Sequence, residues 1–432
     1  MKGFTKITAV SLSAAMTLSM AGCAGGGAST TSAAGSTTAD SSKAVSLELF
    51  STKTENASTL KELIAAFHAK HPNITITLSS PQDAGTVLKT RLTKDNIPDI
   101  IAMGGDSTYT EVQSAGVLED LSSESYVSGI QNAYKKMVYD VQQDKEQKLY
   151  GIPYATNASG VLYNEDLFKS KGLFVPKTWD EFIALCKKLQ SGGTTPFELT
   201  FKDSWCTLPA WNSLAPDLQP ANFTDDRKNG KTTFAATHKE IAQKYLDLLP
   251  FAQKDYMGTT YADGNTAFAQ GKAAMMINGN WAIPEFKKVN SSFKVNMFAF
   301  PSSNDSSKNY VTSGVDVLLA VSSKSANKEA AKEFVSFMMQ KENAQKYITE
   351  QFAFSAINGV EQNDKTVAGV KEDIASGKVA NYPDHYYPSG FDLASLAQNF
   401  GKNAAAGMAA DKNIADFLKQ CDTKYDAANV SD

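Results

Sequence analysis

Val45-Ser46-Leu47-Glu48-Leu49-Phe50 alternates apolar and polar side chains with a period of two, the pattern of a half-buried strand. Leu60, Leu63, Ile64 and Phe67 follow at helical spacing, and Pro72 closes that helix because it has no amide proton to donate. Ile74-Thr75-Ile76-Thr77-Leu78 alternates again. A second helix is expected over 84–94, and Pro98-Asp99 leads into the apolar run Ile100–Met103. This β-α-β-α-β order predicts a mostly parallel sheet with helices on its faces.

The same alternation recurs downstream. Strands are expected over 150–154, 160–163, 272–277, 298–300 and Val315–Val321. Thr178-x-x-Glu181 reads as a capping box, and the helix behind it carries Phe182, Leu185, Cys186 and Leu189 on one face. Thr237-x-x-Glu240 reads as a second box before Ile241, Tyr245 and Leu248. From about Asn327 onward the pattern is mainly helical. No internal repeat is present, and the layout implies an α/β protein of two lobes rather than one large sheet.

The 432 residues, 42% of them hydrophobic, suffice for two cored domains. A net charge of −4 gives no basis for a nucleic-acid partner. Lys2 and Lys6 precede an apolar stretch over 7–20 that is too short to span a bilayer, as in a signal peptide over 1–22. Met20-Ala21-Gly22-Cys23 then resembles the lipobox of bacterial lipoproteins, which implies lipid attachment at Cys23. Residues 24–42 are almost all Gly, Ala, Ser and Thr, a composition that cannot bury a core and suits a flexible tether over 23–44.

Enzyme signatures are absent from the sequence: no GxSxG, no HExxH and no P-loop. Cys186, Cys206 and Cys421 show no metal-ligand spacing, and the four histidines do not cluster, so neither metal nor cofactor is expected. Carboxylates are plentiful, which keeps a glycoside hydrolase open as the rival reading.

Three blocks then carry a resemblance. They are Leu149-Tyr150-Gly151-Ile152-Pro153-Tyr154, Val161-Leu162-Tyr163-Asn164-Glu165-Asp166-Leu167-Phe168 and Pro176-Lys177-Thr178-Trp179-Asp180-Glu181-Phe182. In this order and spacing they resemble the central signature of family 1 extracellular solute-binding proteins of ABC importers. Pro98-Asp99-Ile100-Ile101 with Gly104-Gly105-Asp106, the run from Phe268 to Trp281, and Ala320-Val321-Ser322-Ser323 before the stretch from Asn327 to Phe334 fit the same family. The resemblance implies two α/β lobes, 45–155 with 302–345 and 156–301 with 346–432. The chain would cross between them near Tyr154, Pro301 and Gln351, and ligand would close the cleft by hinge bending. It also implies a monomeric receptor, held on the outer face of the cell membrane by its lipid, that passes its ligand to separate permease subunits.

A sugar offers apolar C–H faces and a rim of hydroxyls, so aromatic rings and directed polar groups are sought at strand ends. Lys53 and Glu55 follow the first strand, and Asp106 follows the third. Trp281 follows Asn278-Gly279-Asn280, where the family places a stacking ring. Asp203-Ser204-Trp205 resembles the second lobe's cleft segment, which favours Trp205 over Trp211; Trp179, beside a cap, reads as structural. Asp316 follows Gly314, a residue that permits close approach of a ligand. Tyr382, Asp384 and His385 form an aromatic, carboxylate and imidazole cluster. Together these residues resemble the branch that binds raffinose-type α-galactosides, the Asp–His pair reading the axial hydroxyl of a terminal galactose. Fructan or xylan fragments are the alternative ligands.

Overall fold

The computed structural model describes residues 43–142, 146–388 and 390–429. The expected signal peptide, Cys23 and all but the last two residues of the tether lie outside the described residues.

Among the described residues twelve strands form two sheets. They are β1 (Val45–Ser51), β2 (Ile74–Ser79), β3 (Ile100–Met103), β4 (Ile152–Thr156), β5 (Ser159–Asn164), β6 (Thr195–Phe197), β7 (Ala273–Gly279), β8 (Val295–Phe298), β9 (Val311–Thr312), β10 (Val315–Val321), β11 (Phe354–Ser355) and β12 (Val379–Ala380). The first sheet runs β11-β4-β10-β3-β1-β2. The second runs β12-β9-β5-β7-β6, with β8 also paired to β5.

Leu47 and Leu49 of β1 and Ile74 and Ile76 of β2 are buried, as the alternation requires. β3 is buried throughout, as befits an interior strand flanked by β1 and β10. Asp99 pins this end of the sheet: one oxygen accepts from Glu48 N at 2.9 Å and the other from Ser325 Oγ at 2.6 Å. Arg91 grips Glu48 with two bonds of 2.6 and 2.7 Å.

The sheets are less parallel than the sequence implies. In the first, β1 is parallel to β2 and β3, but β10 is antiparallel to both β3 and β4, and β11 to β4. The reason is connectivity. β10 arrives straight from the second sheet through Ser313 and Gly314, with no crossover helix to reverse the chain. In the second sheet β5 is antiparallel to β7 and β8, and only β6 with β7 and β9 with β12 are parallel.

Each sheet has its own core. One cluster joins Leu47, Phe67, Ile101, Val138, Leu318, Phe334 and Ile348. Two others, built around Phe182, Trp211 and Phe417 and around Phe268, Met276 and Phe286, cover the second sheet. The helix Trp179–Ser191 buries Phe182, Leu185, Cys186 and Leu189, each large side chain contributing about 1.5–3 kcal/mol. Thr178 accepts from Glu181 N, but Glu181 returns its bond to Lys177 N, one residue before the cap.

The second expected capping box does not form. Thr237 ends the short helix Phe234–Thr237 and bonds back to Thr233 O at 3.0 Å, while Thr233 is the cap, accepting from Ala236 N at 3.1 Å. The following helix, Lys239–Leu248, has no side-chain cap bond.

Crossings between sheets fall at 157–158, between β4 and β5, and at 313–314, between β9 and β10. The stretch 302–312, expected with the first lobe, stays with the second: Ser302 bonds Asp217, and Thr312 Oγ1 donates to Asn212 O at 3.1 Å. Residues 346–357 stay with the first, where Tyr347 and Ile348 join its core and β11 pairs with β4. The chain leaves the first core only after Val360 and enters the second side at Val367. Pro301 marks a loop and Gln351 the end of a helix, but the hydrogen bonds of the flanking strands decide which sheet a segment joins. Among the described residues no helix is long and apolar enough to cross a membrane.

Candidate functional site

The ends of β1, β3, β7 and β12 and the start of β10 converge on one cavity of about 400 Å³, within the range of small-ligand pockets. Lys53, Glu55, Asp106 and Asp316 line it from the first sheet. Trp205, Trp281, Tyr382, Asp384 and His385 line it from the other side. All nine residues singled out in the sequence therefore line this cavity.

Lys53 is the electrostatic centre of the first side. Its Nζ lies 2.8 Å from Asp316 Oδ1 and 6.0 Å from the centre of the Trp281 ring. Burial alone would depress the lysine, but Asp316 and Glu55 outweigh it and hold the pKa well above the usual range. Asp106 is committed in part to its own helix: Oδ1 accepts from Thr108 N at 2.8 Å and caps Ser107–Ser114.

Trp281 stands two residues past the end of β7, and the indole folds back across Gly279. A Cβ at position 279 would sit 2.0 Å from that ring, so no other residue leaves room for it. Gly314 serves a different purpose from the one expected. The space its Cβ would fill is held by Asn381 Oδ1 at 2.8 Å and the Tyr382 ring at 2.9 Å, so it admits Tyr382 rather than a ligand.

The Tyr382 and His385 rings stack with centroids 4.8 Å apart. Burial pushes the Asp384 carboxyl up, and His385 and an Asn212 hydrogen bond pull against it. Asn212 Nδ2 donates to Asp384 Oδ1 at 2.8 Å. Trp205 is 39% exposed and packs edge-on to Tyr261 at 4.8 Å. Trp211 is fully buried against His238 and Phe417, and Trp179 packs in the core beside Phe300.

Asn157 and Asn212 also line the cavity and were missed in the sequence. Asn157 sits at the first crossing. Its Nδ2 donates to Asp316 Oδ1 at 2.9 Å, and its Oδ1 accepts from Gly314 N and Tyr382 Oη, both at 3.0 Å. Its flank, after Tyr154, was the one available signal. Asn212 lies inside a helix of irregular apolar pattern, and nothing in the sequence marks it. Cys186, Cys206 and Cys421 are buried and unpaired. Among the described residues no group of three His, Cys, Asp or Glu side chains is arranged to hold a metal.

The arrangement offers a flat aromatic face beside carboxylate, amide, imidazole and ammonium groups, suited to holding a polyhydroxylated ring by stacking and hydrogen bonds. The family profile of bacterial extracellular solute-binding proteins matches residues 51–345. The chain is 32% identical over 329 residues to the Multiple sugar-binding protein of Streptococcus mutans serotype c, covering 74% of this chain and 77% of that one. It is 23% identical over 398 residues to the Melibiose/raffinose/stachyose-binding protein MelE of Bacillus subtilis, covering 88% and 90%. Among solved structures it is similar to the solute-binding protein RafE in complex with raffinose, with a TM-score of 0.77 at 25% identity over 89% of this chain and all of that one. With its profile match and a relative so similar along most of both chains, the protein belongs to the bacterial extracellular solute-binding protein family, whose members are receptors rather than enzymes.

Proposed function

We propose that the protein captures a short oligosaccharide outside the cell and delivers it to an ABC importer, closing its two lobes on the ligand by bending at the crossings. The observation that carries this reading is the cavity itself, in which Trp281 and Trp205 stand beside Lys53, Asp316, Asp106, Asp384 and His385. Aromatic faces match the C–H surface of a pyranose, and the polar groups match its hydroxyls.

The ligand class we favour is the raffinose-type α-galactosides. Trp281 takes the apolar face of a terminal galactose, and Asp384 with His385 reads its axial hydroxyl. Glucose presents that hydroxyl equatorially, which leaves the buried polar pair unmatched. The names of two similar proteins, one crystallised with raffinose and one called melibiose/raffinose/stachyose-binding, support this choice over fructan or xylan fragments.

Titration calorimetry with raffinose, stachyose and maltotriose tests the reading, with product analysis alongside. The α-galactosides bind uncleaved; release of monosaccharides would instead indicate a hydrolase. The anchor has its own test. Lipid at Cys23 holds the mature chain on the outer face of the membrane, and Cys23→Ser releases it to the medium or leaves it unprocessed. Unchanged membrane retention and processing would rule out the anchor.

A further inference from the structure

Three polar atoms belonging to cavity residues are shut off from solvent and lack a hydrogen-bond partner among the described residues: Asn212 Oδ1, His385 Nδ1 and Trp281 Nε1. Buried polar groups are nearly always paired in folded proteins, because an unpaired one forfeits its bonds to water. Asn212 is the most constrained of the three. It is 3% exposed, and its backbone carbonyl accepts from Thr312 Oγ1 at 3.1 Å, which ties its helix, Leu208–Leu218, to β9. Its Nδ2 donates to Asp384 Oδ1 at 2.8 Å. That bond fixes which end of the amide is which, since a carboxylate oxygen needs a donor opposite it. The unspent group is therefore the carbonyl oxygen. Leu208 and Pro209 line the same wall one turn earlier and have no polar side-chain atom. Polar recognition from this helix falls to Asn212.

We propose that Asn212 is a specificity-determining residue of the ligand site, its amide nitrogen holding Asp384 while its carbonyl oxygen accepts a hydrogen bond from a sugar hydroxyl next to the one that Asp384 takes. The assignment rests on the sugar reading above and narrows it. The ligand presents two vicinal hydroxyls at this end of the cavity, each giving its proton to the protein. Binding converts an unpaired buried acceptor into a paired one, so a ligand lacking that hydroxyl forfeits the gain.

The test is a cycle of protein and ligand deletions, read by calorimetry on the full protein. The ligands are the tightest binder among raffinose, maltotriose and xylotriose, and its analogues lacking one hydroxyl each on the non-reducing terminal ring. In the unmutated protein, loss of one such hydroxyl weakens binding at least tenfold. In Asn212→Leu the parent sugar binds at least tenfold more weakly, and loss of the same hydroxyl costs less than twofold. Asn212→Ser, a smaller polar replacement, gives the same loss of coupling if the leucine variant does not fold. Deletion costs that are the same in variant and unmutated protein overturn the assignment and leave Asn212 as a mere prop for Asp384. If the unmutated protein binds sugar and an ordered water fills the Asn212 oxygen in the complex, this assignment alone falls. If it binds no sugar of the three, the sugar reading falls and takes this assignment with it.

Discussion

Lys53 Nζ and Asp316 Oδ1 stand 2.8 Å apart at the mouth of the first sheet, and the same carboxylate oxygen receives Asn157 Nδ2 at 2.9 Å. The pair links the loop after β1 to β10 and, through Asn157, to the first crossing. Its side chains are 22% and 10% exposed, so solvent screens the charges only in part. Asp316→Ala strands the ammonium and is expected to lower stability by on the order of 2 kcal/mol, with Lys53→Met/Asp316→Leu recovering at least half of the loss in urea titrations. The folded pKa of Lys53 is raised, so its contribution is complete below the ordinary lysine pKa and fades as the pH climbs through the folded value. A double variant no more stable than the single one counts against this account of the pair.

Trp281 is placed by Gly279 and supports Lys53 from 6.0 Å. Trp281→Ala is expected to weaken sugar binding by about 2 kcal/mol or more, as for a central aromatic anchor. The melting temperature should fall by a few degrees at most, because the ring is only partly packed on the core. Affinity left intact with a collapse in stability would make the residue structural.

Asn157 makes three side-chain bonds, to Asp316, Gly314 and Tyr382, which join two crossings to both sides of the cavity. At about 0.5–1.5 kcal/mol each, their removal in Asn157→Ala is expected to cost about 2 kcal/mol of stability and to weaken ligand binding roughly tenfold. Small-angle scattering should show a larger radius for the unliganded variant. An unchanged radius and affinity would detach Asn157 from the closing motion.

Glu198 tests the second side away from the cavity. It is 5% exposed, and burial pushes its carboxyl up to about 7 from 4.5. Between those values the unfolded chain loses its proton while the folded one keeps it, so stability falls as pH rises through that window. Glu198→Gln is expected to stabilise the protein by on the order of 2 kcal/mol at pH 8 and to have little effect at pH 4, as measured by urea titration. Equal effects at both pH values would contradict the assigned cause.

The fold was legible wherever one periodicity dominated. The alternation of β1 and β2 and the face of Phe182, Leu185, Cys186 and Leu189 follow from burial on one side. Strand direction was not legible, because the order of elements does not reveal that β10 returns through Ser313–Gly314 without a helix. Thr237 looked like a cap because its spacing to Glu240 is right, yet Thr233 four residues earlier begins the turn. In the site, Lys53, Glu55, Asp106 and Trp281 carry the positional signal of residues after strand ends, while Trp205 and the Tyr382, Asp384 and His385 cluster stand out by composition and resemblance; all line the cavity. Asn157 follows β4 and shares that positional signal, but a lone amide at a strand end is common and its partner Asp316 lies 159 positions away; Asn212, inside a helix and 172 positions from Asp384, carries none.

Calorimetric titration of the purified protein with raffinose and, in parallel, maltotriose bears most directly on the central claim. Saturable binding of raffinose without cleavage is expected, at least tenfold tighter than that of maltotriose, with the preference erased in Asp384→Ala and His385→Ala. Equal binding of the two trisaccharides would contradict the assigned ligand class, and no heat from any sugar would contradict the receptor reading itself.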